Sequence, residues 1–224
     1  MLTKEKNKSR STFIIGAGSS INKHNLSSLE EASCIFVNRS VFLLDSYKFK
    51  NWAWCYNDFC TLDEFSSYNK KYDPFYERTV VGLETNMRPL WKKNYGAFTQ
   101  AGGSFRYTVP FDTSKNVEDG WFSDNILDRT YCGFNIVIDL AIPLAMWWGS
   151  STIYLLGCDC DDKGHFYDND KQHKVRKKFK LANIKKVFRG YEVVNTFAKE
   201  KGVSILNAGI GGNLAVFPRT TIVR

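Results

Sequence analysis

The sequence predicts an α/β fold in which a mostly parallel β-sheet carries helices on its faces. Short apolar segments rich in β-branched residues recur along the 224 residues and are separated by long connections. Twice in the second half, a helical pattern ends in a glycine, Gly149 or Gly202, and such a segment follows it. A helix, a glycine and a strand in this repeated order are typical of parallel strands joined by crossover helices.

Six strands and two helices are predicted from these patterns. The strands are 13–15, 34–37, 53–56, 79–81, 152–156 and 203–206, and the helices are about 133–148 and 184–201. Pro143 lies inside the first helix and is expected to bend it. The whole is interpreted as a Rossmann-like, nucleotide-binding domain over residues 12–224, preceded by a basic tail, 1–11. An aromatic, turn-rich insertion at about 70–125 is expected to form a lid over the carboxyl ends of the strands.

Composition excludes several protein classes. With 43% hydrophobic and 24% charged residues the chain is globular, and 224 residues suffice for a sizeable core. No apolar run approaches the ~18 residues that cross a bilayer. The basic N-terminus leads into a strand and a glycine turn rather than into the apolar core of a signal peptide.

Six cysteines and three histidines complete no zinc pattern, so we expect a reduced, cytoplasmic protein. Within LLGCDCDD, Cys158 and Cys160 alternate along an extended segment and are expected to point to opposite sides.

Basic residues concentrate in one segment, 171–189, which holds nine Lys or Arg and no acid. The net charge of the chain is +8, so the remainder is almost neutral. A local basic run is typical of a surface that binds phosphate, nucleic acid or anionic lipid. The alternative is a solvated helix face that only aids solubility.

A glycine turn follows the first predicted strand in the sequence FIIGAGSSI. Glycine allows a sharp turn, so the amides of Gly16, Gly18, Ser19 and Ser20 are expected to face an anion such as a phosphate. Ile21 stands where the third glycine of a dinucleotide motif would be, so the signature is incomplete. A tight turn without a ligand is the alternative.

Small or polar residues also follow the other predicted strands. They are Asn38, Asn57 with Asp58, Gly157 with Asp159 and Asp161, and Asn207. Ligands of open α/β sheets bind beyond the carboxyl ends of the strands, at the point where strand order reverses. These residues therefore predict one shared ligand site.

Taken together, the motifs resemble those of the bacterial sialyltransferases of glycosyltransferase family 42. The order is GxGxS, an asparagine after strand two, YN after strand three, RxxxG at a helix start, GxD after the next strand and a final asparagine-containing loop. The chain is also similar to Maf-type motility accessory proteins and to the 6-hydroxymethylpterin diphosphokinase-like group. The resemblance spans roughly residues 12–218 and is thin between 60 and 125.

The resemblance implies a glycosyltransferase that moves a sugar from a CMP- or UDP-linked donor to a hydroxyl acceptor. Binding of the nucleotide and the sugar would fall to Gly16, Gly18, Ser19, Ser20, Asn38, Asn57, Cys132, Gly133, Gly157, Asp159 and Asn207. Arg129 matches the arginine of the family's sugar site and, like a lysine of 171–189, could neutralise the departing phosphate. Cys132 stands where that family has serine, so a different sugar is possible.

His165, in GHFYD, is the candidate general base, and His173 is the alternative. The family places a histidine shortly before its last long helix, where this chain has Lys185 or Lys186. An imidazole titrates near neutral pH and can take a proton from an acceptor hydroxyl, whereas a lysine needs strong desolvation to do so. A packed loop residue is the other interpretation of His165.

Other functions remain open at this point. Asp159 and Asp161, with Asp162, could bind Mg²⁺ and a diphosphate, as a diphosphokinase of the pterin type would need. The acceptor of a sugar could be a glycan, a lipid-linked sugar or modified DNA bound through 171–189. A non-catalytic nucleic-acid-binding domain is a third possibility.

Overall fold

The computed structural model describes residues 11–56, 79–84, 107–161, 163–167 and 170–222, and it confirms an α/β architecture with a parallel sheet. Within these residues, eight strands form one sheet in which each neighbouring pair runs parallel. The strands are β1 (Ser11–Ile15), β2 (Ser33–Val37), β3 (Asn51–Tyr56), β4 (Thr79–Glu84), β5 (Tyr107–Asn116), β6 (Thr130–Cys132), β7 (Thr152–Leu156) and β8 (Ser204–Asn207). Their order across the sheet is β6-β5-β4-β3-β2-β1-β7-β8.

All six predicted strands are present, and their ends differ from the prediction by three residues or fewer. The strands β5 and β6 were not predicted. Pro110 and a polar carboxyl half interrupt the apolar pattern of β5, and β6 has only three residues. Because β4 and β5 belong to the sheet, part of the segment 70–125 extends it. The remaining residues of the predicted lid, 70–78 and 85–106, lie outside the described residues.

The first predicted helix begins as a π-helix, Val137–Ala141, and continues as the α-helix α1 (Ile142–Trp147). Pro143 has no amide hydrogen to donate to the preceding turn, and the wider π-turn lies directly before it. The helix ends before Gly149, whose φ of 83° only glycine adopts readily.

The second helix, α2 (Asp170–Glu200), has 31 residues and begins well before the predicted start at residue 184. Its first half is the basic run, which lacks an apolar period, but lysine and arginine are good helix formers. Tyr191, Val194 and Ala198 anchor the second half because each is fully buried. No described helix combines the length and the apolar character needed to cross a bilayer.

Both faces of the central strands are buried. Ile14 of β1 packs in the core cluster that contains α1 and the second half of α2, whereas Ile15 packs in the cluster on the opposite face. Ile35 and Phe36 of β2 divide in the same way. Successive side chains of a strand point to opposite faces, which explains why these strands read as continuous apolar runs.

The direction of chain order reverses beside β1. From β1 the chain proceeds outward to β6, returns across the sheet and adds β7 on the other side of β1, where Ile15 lies beside Leu156. The carboxyl ends of β1 and β7 therefore frame the crevice where open α/β sheets bind ligands.

Candidate functional site

A cleft of about 280 Å³ lies at this reversal point, beyond the carboxyl ends of β1, β2 and β7. Its walls come from the turn after β1, the end of β2, the entry to the π-helix and the loop after β7. The lining residues are Gly16, Ala17, Gly18, Val37, Asn38, Phe134, Asn135, Ile136, Val137, Gly157, Cys158, Asp159, Cys160, Asp161, Gly164, His165 and Tyr167. The structure thus brings Gly16, Gly18, Asn38, Gly157, Asp159, Asp161 and His165 of the predicted site together.

The glycines of the turn after β1 allow two loops to touch. The amide of Gly16 donates to the carbonyl of Leu156 at 2.7 Å, and the amide of Gly18 donates to that of Gly157 at 2.7 Å. A Cβ at Gly18 would lie 2.5 Å from Asp159 Oδ2, and one at Gly16 would overlap the Gly157 carbonyl. The expectation that these two amides face an anion is wrong in this structure, because both are used within the protein.

Asp159 joins the same turn to the loop after β7. Its carboxylate accepts hydrogen bonds from the Ser20 amide, at 2.8 Å, and from the Ser20 hydroxyl. Its carbonyl accepts from the amide of Asn213 at 2.7 Å, and its side chain is buried. Asp159 and Ser20 therefore form a structural clamp at the edge of the cleft.

The magnesium prediction gains no support from this geometry. Each carboxylate oxygen of Asp159 accepts one hydrogen bond from Ser20. Asp161 accepts the amide of Lys163 at 3.1 Å, and Asp162 lies outside the described residues. Within the described part of the chain, no three His, Cys, Asp or Glu side chains are grouped to hold a metal ion.

Backbone strain concentrates at the cleft. Among the described residues, three that are not glycine have a positive φ: Asn38 at 48°, Phe134 at 58° and Cys160 at 51°. All three line the cleft. Left-handed backbone costs a non-glycine residue of the order of 1–2 kcal/mol, and such residues cluster at ligand-binding and catalytic sites.

Asn38 is held firmly by its backbone, while its amide oxygen has no partner among the described residues. Its carbonyl accepts from Trp54 Nε1 at 2.6 Å. The Ser40 hydroxyl accepts from the Val37 amide at 2.8 Å and donates to the Ile15 carbonyl at 2.6 Å, which ties the turn to β1. Asn38 Oδ1 is buried and hydrogen-bonds to none of the residues that the structure describes. A buried acceptor without a donor is costly, and a ligand in the cleft would relieve that cost.

His165 and Tyr167 line the cleft next to the turn after β1. His165 pairs with Gly18 in an isolated β-bridge, and the next amide, Phe166 N, donates to the Ala17 carbonyl at 3.0 Å. The Tyr167 ring lies 5.2 Å from the His165 ring and 5.5 Å from that of Phe42. The proposed base is thus fixed next to the glycine turn.

Cys158 and Cys160 both line the cleft, so the expectation of opposite orientations is wrong. The left-handed backbone of Cys160 breaks the alternation of an extended chain. Burial raises the pKa of Cys158 well above its usual value, and the charges of Cys160 and Asp159 add to the effect. Cys158 is therefore a neutral thiol at neutral pH. The five described cysteines are free thiols.

Four predicted site residues do not line the cleft. Arg129 pairs with Asp112 at 3.7 Å and with Asp128 at 4.0 Å. Gly133 donates its amide to the buried carboxylate of Asp139 at 2.6 Å. The other two are Cys132, at the end of β6, and Asn207, whose amide group binds Leu214 O and Gly209 N at 2.7 and 2.9 Å.

The remaining predictions concern two serines, two residues outside the described part of the chain and one lysine. Ser19 and Ser20 belong to the turn after β1 but do not line the cleft. Asn57 lies outside the described residues, as does the side chain of His173. Lys186, one of the two lysines that stand where the family has its histidine, pairs with Glu118 at 2.8 Å. This hydrogen bond raises the pKa of Lys186, which opposes a role as a base.

The sequence analysis missed Phe134, Asn135 and Tyr167. The Asn135 side chain accepts the Val137 amide at 2.9 Å, and an asparagine just before an apolar helix is a recognisable capping signal. No sequence signal marks a left-handed phenylalanine, because this residue type rarely adopts that backbone.

Comparisons with protein-family models, with curated proteins and with solved structures found no match for this chain. The resemblance to glycosyltransferase family 42 therefore stays a prediction. The function has to be argued from the cleft itself.

Proposed function

We propose that the cleft binds a nucleotide-activated sugar and that the protein transfers this sugar to a hydroxyl acceptor. One observation carries the proposal: the strained residues Asn38, Phe134 and Cys160 converge on one cleft at the point of chain reversal. Backbone strain is maintained where the surrounding fold enforces it, and a bound ligand is the usual reason for such an arrangement. The uncommitted amide oxygen of Asn38 supplies a polar contact for that ligand.

The strand order supports a Rossmann-like interpretation. The run β3-β2-β1-β7-β8 has the same form as a doubly wound 3-2-1-4-5 order, in which the ligand lies beside the first strand. The rings of Phe134 and Tyr167 border the cleft and offer flat apolar faces to a base or a sugar. Aromatic walls with a few polar groups are typical of small-molecule sites.

His165 is proposed as the general base of the transfer. The acceptor oxygen would form a bond to the anomeric carbon of the sugar while the bond from that carbon to the phosphate oxygen breaks. The bonding electrons leave with the nucleotide phosphate, and the acceptor proton passes to a nitrogen of the imidazole. The position of His165 beside Gly18 and in the wall of the cleft is consistent with this role.

A polymeric, phosphate-rich acceptor such as DNA is a second aspect of the proposal. The helix α2 begins at Asp170, three residues after Tyr167 in the cleft wall, and its first half carries most of the nine basic residues of 171–189. Activity on DNA should fall steeply with salt, because bound phosphates release counterions. Activity on an uncharged glycan should change little. Retention of DNA unaffected by Asn38→Ala and His165→Ala, with no transfer to any acceptor, would instead favour a non-catalytic nucleic-acid-binding domain.

Ligand-dependent stabilisation tests the nucleotide site. CMP, UMP, UDP, GDP and ATP would each be titrated while thermal unfolding is followed. A ligand at 100 times its Kd adds about 2.7 kcal/mol to the free energy of unfolding. We expect a pyrimidine nucleotide to stabilise the wild-type protein and Asn38→Ala to lose much of that effect.

Two further variants separate nucleotide binding from sugar transfer. Arg129→Gln, outside the cleft, should be stabilised like wild type, whereas His165→Ala should bind the nucleotide but not transfer a sugar. Absence of stabilisation by all five nucleotides would contradict the proposal.

A further inference from the structure

We propose that a second pocket, separate from the cleft, binds a neutral sugar. This pocket has a volume of about 310 Å³, and the described residues that line it are Asp124, Asn125, Met146 and Trp147. Small-molecule sites have volumes of about 300–1,000 Å³, so the pocket lies at the lower end of that range, as suits a single sugar ring. The proposal does not depend on the ligand of the cleft.

The pocket lies at the other end of a helix from the cleft. Val137, the first residue of the π-helix, lines the cleft, whereas Met146 and Trp147, at the end of α1, line the pocket. At about 1.5 Å per residue, the roughly ten residues between them separate the two sites by of the order of 15 Å along the helix axis. No described residue lines both, so a ligand in one site leaves the other accessible.

The connection between β5 and β6, which carries Asp124 and Asn125, is anchored on both sides of the pocket. Before these residues, the Phe122 ring packs edge-on against the Phe197 ring of α2, with the centroids 5.0 Å apart. After them, Ile126 is buried in the core. The wall that carries Asp124 and Asn125 is therefore held in place by packing that needs no ligand.

The charge of the pocket favours a neutral ligand. Asp124 Oδ2 lies 3.6 Å from the ammonium nitrogen of Lys201, so the carboxylate is already balanced by a cation. A cationic ligand would have to compete with Lys201, and an anionic ligand would meet the charge of Asp124. The 3.6 Å separation is too long for a hydrogen bond, so the carboxylate can accept one from a hydroxyl group while the ion pair persists.

Two donors complement this acceptor. Asn125 Oδ1 accepts from the Leu127 amide at 3.3 Å, which orients the carboxamide and leaves its NH₂ group to donate to a ligand. Trp147 is only 8% exposed, and because it lines the pocket, this exposed part faces the pocket. Its indole N–H donates to none of the residues that the structure describes.

This combination of groups matches the chemistry of a sugar. Each hydroxyl of a sugar both donates and accepts, so neighbouring hydroxyls can bind a carboxylate and an N–H donor at the same time. The C–H groups of the ring are apolar and can contact Met146 and the indole of Trp147. A mostly apolar wall with a few placed polar groups is the usual form of a small-molecule site.

Ligand-detected NMR titration tests the pocket. The probes are methyl α-glucoside, methyl α-galactoside and N-acetylglucosamine, with choline as a cationic probe. A single sugar ring should bind with a Kd of the order of 1 mM, because a ligand this small gains limited free energy. Asp124→Asn should weaken sugar binding roughly 10- to 30-fold, and Trp147→Phe, which keeps an aromatic ring but removes the N–H, roughly 3- to 10-fold.

Matched controls change the same residue types outside the pocket. Asp128→Asn removes a carboxylate of the same connection, and Trp121→Phe removes an indole N–H from it. Neither residue lines the pocket, so both variants should bind the sugar as wild type does. Thermal unfolding checks that all variants are folded. If Trp147→Phe does not fold, Asn125→Ala, at an exposed position, takes its place with the same expected weakening.

The outcomes separate this inference from the proposed function. Sugar binding that Asn38→Ala removes and Asp124→Asn leaves unchanged would place the sugar in the cleft, which overturns the second site and leaves the proposed function intact. Binding of choline through Asp124, in place of the sugars, would overturn the assigned ligand class. Absence of saturable binding by all three sugars would overturn the second site, whereas the nucleotide titrations would still test the cleft.

Discussion

Two glycine-rich loops follow strands of this sheet, and they differ in what surrounds them. The loop after β1, with Gly16 and Gly18, borders the cleft. The loop after β8, with Gly209, Gly211 and Gly212, is closed on itself. Arg219 donates to the carbonyls of all three of its glycines, at 3.1, 2.9 and 2.9 Å. Both loops meet at Asp159, since Ser20 binds its carboxylate and a Cβ at Gly212 would lie 2.7 Å from its carbonyl oxygen.

The comparison shows what a glycine-rich turn indicates in this chain. Gly16 and Gly18 in the first loop and Gly212 in the second mark places where another segment approaches too closely for a side chain. Neither loop is thereby identified as a phosphate site, because Gly16 and Gly18 already donate their amides to carbonyls. The cleft is distinguished instead by the left-handed backbone of three residues that are not glycine, Asn38, Phe134 and Cys160.

Removing the Asp159 side chain, which joins the two loops, should have the largest effect on stability. Asp159→Ala leaves the buried amide and hydroxyl of Ser20 without an acceptor, which should lower the free energy of unfolding by about 3 kcal/mol. Urea denaturation measures this change. Asp161→Ala is the control, because Asp161 binds only a neighbouring amide, that of Lys163, among the contacts seen, and it should cost much less. Equal stability of both variants would show that the two loops are not joined through Asp159.

The second prediction separates backbone strain from crowding. Gly212 and Gly202 have nearly the same φ, 72° and 71°, but a Cβ at Gly202 would meet nothing within 4 Å. Gly202→Ala should therefore cost about 1 kcal/mol through strain alone, and Gly212→Ala about 3 kcal/mol through strain and overlap. The same denaturation experiment compares them. If the two costs agree, the loop after β8 is not packed against Asp159 as described.

A smaller loss of stability is expected when the hydrogen bonds from Arg219 to the loop after β8 are removed. Arg219→Gln removes up to three hydrogen bonds from a partly exposed side chain and should cost about 1 kcal/mol. Arg189→Gln is the control, since Arg189 forms an exposed pair with Glu192 and should change stability by less than about 0.5 kcal/mol. Nucleotide affinity should be unchanged in both, because neither residue lines the cleft. A loss of affinity in Arg219→Gln alone would show that the second loop supports the cleft.

The smallest predicted effect is a loss of stability at acidic pH. Burial lowers the pKa of His24, close to the clamp, and the charge of Asp159 only partly opposes this. The unfolded chain therefore binds the proton first, so stability should fall as the pH drops below about 6.5, the ordinary value for histidine. Unfolding curves at pH 7.5 and 5.5 should show a smaller loss for His24→Gln than for wild type. A larger loss in the variant would reverse the predicted sign.

The strands at the centre of the sheet could be predicted from the sequence, but β5 and β6 at its far edge could not. Ile14, Ile15, Ile35 and Phe36 are apolar because both faces of β1 and β2 are buried, and such strands are visible as runs. A three-residue strand such as β6 carries no comparable pattern. Its position depends on pairing with β5, which is a property of the tertiary structure.

The sequence predicts cleft residues that directly follow strands, and it misses Phe134, which lies in the connection between β6 and the π-helix. Asn38 and Gly157 reach the cleft because they directly follow β2 and β7, and His165 reaches it because its loop pairs with Gly18. Arg129 was expected there from the family resemblance and Asn207 from the end of its strand, but ion pairs hold the first and the loop after β8 uses the second. Phe134 enters the cleft only because the chain returns across the sheet after β6.

The neighbours β1 and β7 are far apart along the polypeptide, and this has a consequence for biosynthesis. Ser11 pairs with Thr152, so one side of β1 has no partner until the ribosome has made the intervening chain. At about 5–20 residues per second, this interval lasts roughly 7–28 s. During that time the emerging chain exposes an unpaired, apolar strand edge to aggregation, and a chaperone that shields nascent β1 should raise the yield of native protein.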